Sequence, residues 1–168
     1  MNIIYIASYD LTDCGFSSEG NMCYELIKYF NEHDINIYAI TGKSKFCKPI
    51  NNAKIYEIYK NYNQKTFNKV SALIFQYKVY KTILKIIREY DVDIIHRLSP
   101  NYYLTSLDLY SSMYLHSYNK LPFILGPIYP PWPIDIKPKT FTSNPIAFIL
   151  RKFFERTLQN ASSVLSTM

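Results

Sequence analysis

The sequence predicts an α/β protein built on a doubly wound parallel sheet of about six strands in three layers, and three observations carry that prediction. Short β-rich apolar runs alternate with stretches of helical period, and the links between them are short. One run, Val92, Ile94 and Ile95, has the near-continuous apolar character of a strand covered on both faces. It ends at His96, Arg97 and Leu98, after which Ser99 and Pro100 open a helix: serine is a favoured N-cap, and proline's missing N–H costs nothing in the first turn. A histidine and an arginine are thereby expected where a parallel strand stops beside a helix N-terminus, the place where open α/β sheets bind ligands.

The other elements follow in order. Ile3 to Ala7 is a first buried strand, stopped by the turn-forming residues Ser8 to Asp13. A loop with Gly15, Ser17 and Ser18 leads to Glu19, after which Met22, Cys23, Leu26, Ile27 and Phe30 recur at helical spacing. This βα unit has no Gly-Lys-Ser/Thr and no three-glycine fingerprint, so it is neither a P-loop nor a dinucleotide loop. Ile35 to Thr41 reads as the second strand and Lys54 to Tyr59 as the third, at a sheet edge, with a basic loop over Lys43 to Asn52. From Thr66 to Tyr90 the absence of Gly and Pro, with a stripe of Val70, Leu73, Ile74, Tyr77, Leu84 and Ile87, predicts the longest helix. Helices over Tyr102–His116 and Ile146–Leu158, a fifth strand at Leu121–Leu125, a proline-rich loop over Pro127–Pro138 and a sixth strand at Ser162–Ser166 complete the frame. The expected strand order is 3-2-1-4-5-6, a Rossmann-like arrangement that converges the carboxyl ends of strands one, four and five.

With 168 residues, 48% hydrophobic and 19% charged, a single folded domain over 1–168 is expected and a disordered chain is excluded. The net charge of +6 admits anionic partners. Nucleic acid is not expected among them, because no basic-aromatic sheet face or nucleic-acid motif is present. Cys14, Cys23 and Cys47 form no C-x-x-C pair, so neither a disulfide framework nor a metal site is indicated and a reducing cytoplasmic location is expected. The first apolar run is too short for a signal peptide and no stretch approaches a membrane span. Any membrane association would be peripheral, at the inner face.

Three loop segments together resemble the N-terminal domain of family 4 glycosyltransferases, two-domain enzymes of the GT-B type. Ser17-Ser18-Glu19 stands where that family has a glycine, a small residue and a glutamate. Asp93-Ile94-Ile95-His96 with Ser99-Pro100 is similar to its strand-ending Asp-x-x-His segment, and Leu121-Pro122-Phe123 to Gly126-Pro127-Ile128 to its Pro-x-x-x-Gly-Pro strand end. Asn31 to Ile35 falls where the family has an Arg-Gly-His-Glu-Val turn. The resemblance spans essentially the whole chain. It departs at Ser17-Ser18, where the family has Gly-Gly, and at Tyr129, Pro130 and Pro131, where relatives carry glycines. It implies the acceptor-side half of an enzyme that moves a sugar from a nucleotide-sugar donor to a glycan or lipid-linked acceptor. The donor-binding half would come from a C-terminal domain or partner chain, with no metal and no resident cofactor, and this half alone would be inactive.

On that resemblance His96 is the residue expected to meet a sugar hydroxyl, the alternative being a strand-end histidine satisfied by backbone. Glu19 is expected to orient the acceptor, or else to complement a helix dipole. Gly15, Ser17, Ser18, Arg97, Ser99 and Gly126 would line the substrate, with Arg97 facing a phosphate or solvent. Tyr129 and Trp132 would stack a sugar or pack on the neighbouring prolines. His33 and His116 are read as capping or solvent-facing. On the long helix Lys78, Lys81, Lys85 and Arg88 form a basic stripe suited to an anionic membrane surface, or to plain solvent. A rival class is a flavodoxin-like or other Rossmann-type nucleotide-binding module without transferase activity.

Overall fold

A computed structural model describes residues 1–7, 10–14, 18–48, 50–59, 69–98, 121–128, 159 and 161–166. The elements run β1 (Asn2–Ile6), β2 (Asp10–Thr12), α1 (Ser18–Glu32), β3 (Asn36–Thr41), β4 (Lys43–Lys45), β5 (Ala53–Glu57), α2 (Lys69–Glu89), β6 (Ile94–Arg97), β7 (Phe123–Ile128) and β8 (Ser163–Ser166). Six of the strands form one sheet in the order β5-β3-β1-β6-β7-β8, every neighbouring pair parallel. Counted along those six strands this is 3-2-1-4-5-6, the Rossmann-like order expected. The third of them, β5, lies at the edge. The predicted helices over 102–116 and 146–158 lie outside the described residues.

Burial on both faces explains why β1 is a continuous apolar run. Successive side chains of a strand point to opposite faces, and here Ile4 and Ile6 enter one cluster while Ile3 and Tyr5 enter the other. The first cluster is closed by Phe75, Val79, Ile83 and Ile86 of α2. The second is closed by Cys23, Tyr24 and Ile27 of α1. These α2 residues correct the stripe read from the sequence. Tyr77 and Ile74 are 45% and 47% exposed, whereas Leu84 and Ile87 are half-buried at the flank of the cluster.

Two features differ from expectation. Asp10–Thr12 and Lys43–Lys45, predicted as turn and basic loop, pair in parallel as a separate two-stranded sheet, with Asp10 opposite Lys43. The fifth strand of the main sheet does not stop at Leu125 but continues through Ile128, with a register shift between those residues. Gly126 makes this possible: its φ of 126° lies in a region that a Cβ would penalise.

At the amino edge the sheet is tied by one residue, through its backbone and its side chain. Asn2 donates its backbone N–H to Asp93 Oδ2 at 2.8 Å and its Nδ2 to the Asp91 carbonyl at 2.7 Å, and its Oδ1 accepts from Asn36 Nδ2 at 2.8 Å. The starts of β1, β3 and β6 are thereby joined. The opposite, carboxyl edge is where the sequence places its chemistry.

Candidate functional site

The end of β6 is built by alternation. Ile95 belongs to the α2 side, so His96 must face α1 and Arg97 must return to α2. The contacts agree. His96 packs edge-on against Tyr5, ring centroids 5.2 Å apart, and against Phe30 of α1 at 6.4 Å. Arg97 donates from Nη1 to Oε1 of Gln76 on α2 at 3.1 Å. The two neighbours in sequence therefore work on opposite faces of the sheet, and both are buried, His96 at 7% and Arg97 at 3% exposure. Arg97 is not a solvated side chain at a rim: its guanidinium lies under α2.

His96 Nε2 lies 2.7 Å from the Gly126 carbonyl oxygen. A carbonyl only accepts, so Nε2 carries the proton and donates. Burial pushes the His96 imidazole below its ordinary pKa, while the bond to Gly126 opposes that shift. The ring is thus held as the neutral Nε2–H tautomer, with Nδ1 as an acceptor. Gly126 also acquires a definite role. It is buried, its positive φ turns β7 at the register shift, and its carbonyl anchors His96. The contact links the carboxyl ends of β6 and β7, the two segments that carry the strand-end motifs.

Glu19 sits in the first turn of α1, half-buried, and burial pushes its carboxyl above the ordinary range. Ser18 begins that helix. Gly15, Ser17, Ser99, Tyr129 and Trp132 lie outside the described residues, as does His116. His33 is exposed at the end of α1, its Nδ1 2.8 Å from the Tyr29 carbonyl, and Asp34 follows in the left-handed region at φ 56°. Asp tolerates that conformation better than most residues.

Three participants were not singled out by sequence reasoning. Tyr5, whose hydroxyl is pushed up by burial with the Cys23 thiol beside it, gives His96 an aromatic wall; it looked like one more residue of an apolar strand. Gln76 is 3% exposed and receives Arg97, and its only signal was a polar residue flanked by core positions Phe75 and Val79. The third is a grouping of Asp13, Cys14 and Cys47, whose ligand atoms all lie within 4.8 Å of one another. Asp13 and Cys47 are 34 residues apart, so no local spacing could announce it.

On α2, Lys78, Lys81, Lys85 and Arg88 are all exposed, on the same side of the helix as Ile74 and Tyr77. Lys78 and Lys81 lie over the rings of Tyr59 and Tyr77, at 4.6 and 4.9 Å from the centroids, and Lys85 pairs with Glu89 at 3.8 Å. No helix among the described residues is long and apolar enough to cross a membrane.

No protein-family model matches the chain, and no curated protein does. Among solved structures it is similar to the C-terminal domain of a Pyrococcus furiosus hydrogenase, residues 83–215, at 10% identity and a TM-score of 0.49. That likeness covers 74% of this chain and 90% of the other. A second structure of that domain, residues 78–226, gives 11% identity and a TM-score of 0.46, over 74% and 89% of the two chains. Likeness at this level bears on neither ligand nor activity, and the α/β assignment rests on the sheet itself.

Proposed function

We propose that this chain is the acceptor-side half of a GT-B glycosyltransferase, contributing to transfer of a sugar from a nucleotide donor to a glycan or lipid-linked acceptor. The observation that the reading leans on is the 2.7 Å bond from His96 Nε2 to the Gly126 carbonyl, which also satisfies His96 by backbone, as the alternative role for this residue expects. It fastens together the Asp-x-x-His and Pro-x-x-x-Gly-Pro segments on which the resemblance rests, at the carboxyl edge of a parallel sheet. In this reading His96 fixes the turn that borders the acceptor cleft and offers Nδ1 to a hydroxyl as an acceptor. Glu19, its carboxyl half-buried at the start of α1, orients the acceptor from the first βα loop. Arg97 is buried and donates to Gln76 on the face of the sheet opposite His96. The exposed basic side of α2 rests on anionic lipid, which would bring a lipid-linked acceptor to the cleft.

The test is turnover. The chain alone, incubated with common sugar nucleotides, neither hydrolyses nor transfers; addition of a donor-binding half restores transfer. In that completed enzyme His96→Ala lowers turnover by more than about tenfold, equivalent to roughly 1.4 kcal/mol of transition-state stabilisation. Robust transfer by the chain alone would remove the half-enzyme reading. A flavin or dinucleotide retained through purification would favour a nucleotide-binding module instead.

A further inference from the structure

We propose that Asp13, Cys14 and Cys47 form a binding site for a thiophilic divalent cation, with zinc as its occupant. The three residues come from two places: Asp13 and Cys14 directly follow β2, and Cys47 follows β4. The parallel pairing of those two short strands brings them together. β4 is not explained by apolar burial, since Lys43 and Ser44 are half-buried and Lys45 is exposed.

The donor set suits zinc. Two thiolates and one carboxylate combine soft and hard ligands in the mixture zinc accepts, at about 2.3 Å for sulfur and about 2.0–2.2 Å for oxygen. Around a tetrahedral ion such donors stand roughly 3.3–3.8 Å apart. The present separations, all within 4.8 Å, need a closure of only about 1 Å. Both cysteines are exposed, so an ion can reach them.

The surroundings hold the ligands in place. Asp13 Oδ1 accepts from the Cys47 backbone N–H at 2.7 Å and Oδ2 from that of Lys48 at 2.8 Å, so the carboxylate is locked to the loop that carries the second sulfur. A further side-chain hydrogen bond joins Asp13 to Cys14, and a metal would take the place of that thiol proton. Thr12 Oγ1 accepts from the Cys14 backbone N–H at 3.2 Å and lies 3.8 Å from Cys14 Sγ, where its hydroxyl can donate to a thiolate. Supporting hydrogen bonds of this kind are what orients ligands around a metal.

When a divalent ion binds, it takes the two sulfurs as thiolates, the two thiol protons go to solvent, and the carboxylate is neutralised in part. Three protein ligands leave a fourth tetrahedral position for water or a substrate atom, on the carboxyl side of β1 and β3. The site is independent of the transferase reading.

The experiment titrates the reduced, chelator-stripped chain with Co2+ alone, then with Zn2+. The expected result is one equivalent of cobalt, with thiolate-to-cobalt charge transfer in the near ultraviolet, strong visible bands of tetrahedral geometry, and bleaching by zinc. Cys14→Ser and Cys47→Ser each lower zinc affinity by at least about tenfold, measured by competition with a chromophoric chelator, and diminish the charge-transfer band. Asp13→Asn keeps the band and weakens the affinity. Cys23→Ala, on the buried face of α1, changes neither. Absence of thiolate charge transfer in the unmodified chain overturns the proposal. So does a band that survives the Cys14→Ser, Cys47→Ser double variant, or a Cys14–Cys47 disulfide in a chain that takes up no cobalt when reduced.

Discussion

The two faces of the main sheet are made from the same strands and packed in different ways. On the α2 side the buried residues are mostly large aliphatics, Ile4, Ile6, Ile40, Val79, Ile83, Ile86 and Ile95, with Phe75 and Phe123 among them. On the α1 side small and polar-tipped residues enter: Ala7, Ala39, Cys23, Tyr5 and Tyr24. His96 lies on this second side, against Tyr5 and Phe30. Each face also carries one buried polar group from the end of β6: Arg97 with Gln76 on the α2 side, and His96 among aromatic rings on the α1 side. The α2 face has the larger share of close-packed aliphatic side chains, and the α1 face the smaller ones.

The largest effect should come from the α2 face. Ile83 is fully buried in its cluster, so Ile83→Ala should destabilise by about 2–5 kcal/mol, read as a fall in urea midpoint at unchanged slope. Cys23→Ala on the other face removes a single sulfur and should cost less than half as much. Equal losses at the two positions would break the comparison.

A smaller effect is expected from pH and sharpens it on the α1 side. Because the folded pKa of His96 is lowered, the unfolded chain binds the proton more readily at this position. The stabilisation from keeping the ring neutral is therefore complete above about pH 6.5, the ordinary histidine value. It is lost as pH falls from there towards the depressed folded pKa, with a slope of at most about 1.4 kcal/mol per pH unit. Urea unfolding between pH 7.5 and 5, approximately, should show that slope, and His96→Asn should remove it. A slope that persists in the variant would assign it to another group.

The smallest effect on stability is expected outside both clusters. Changing Lys78, Lys81, Lys85 and Arg88 to glutamine should move stability by no more than about 0.5 kcal/mol each, since exposed charges of this kind contribute little. The same changes should abolish co-sedimentation with anionic vesicles, at roughly 1 kcal/mol of lost attraction per basic residue, while neutral vesicles are ignored throughout. Indifference of the unmodified chain to both vesicle types would rule out the membrane-facing role of α2.

How much of this was legible in the sequence follows from the physics of each part. The strand order was legible because short links between alternating strands and helices leave few topologies for a parallel sheet. The buried side of α2 was not. Ile74, Phe75, Tyr77, Val79, Ile83, Leu84, Ile86 and Ile87 spread around most of the helix, so several stripes fit the pattern and only the sheet decides among them. β2 and β4 were missed because three residues such as Lys43, Ser44 and Lys45 have no period to detect. The position of His96 and Arg97 at a strand end was legible, but their assignment to opposite faces required the register of the strand, which fixes where every second side chain goes. The meeting of Asp13, Cys14 and Cys47 depends on two such unrecognised strands, and nothing local foretells it.

Asn2, which ties the amino edge, also sets a clock. Its partners on Asp91 and Asp93 lie 89 and 91 residues further along the chain. At a synthesis rate of about 5–20 residues per second, β1 emerges from the ribosome roughly 5–20 s before the segment that completes its pairing. During that interval Ile3, Ile4, Tyr5 and Ile6 have at most one neighbouring strand, β3, and an open edge on the other side. The central strand of the finished sheet is thus the one that waits longest, and a nascent chain arrested between β3 and β6 presents a sticky, half-paired edge that chaperones would be expected to hold.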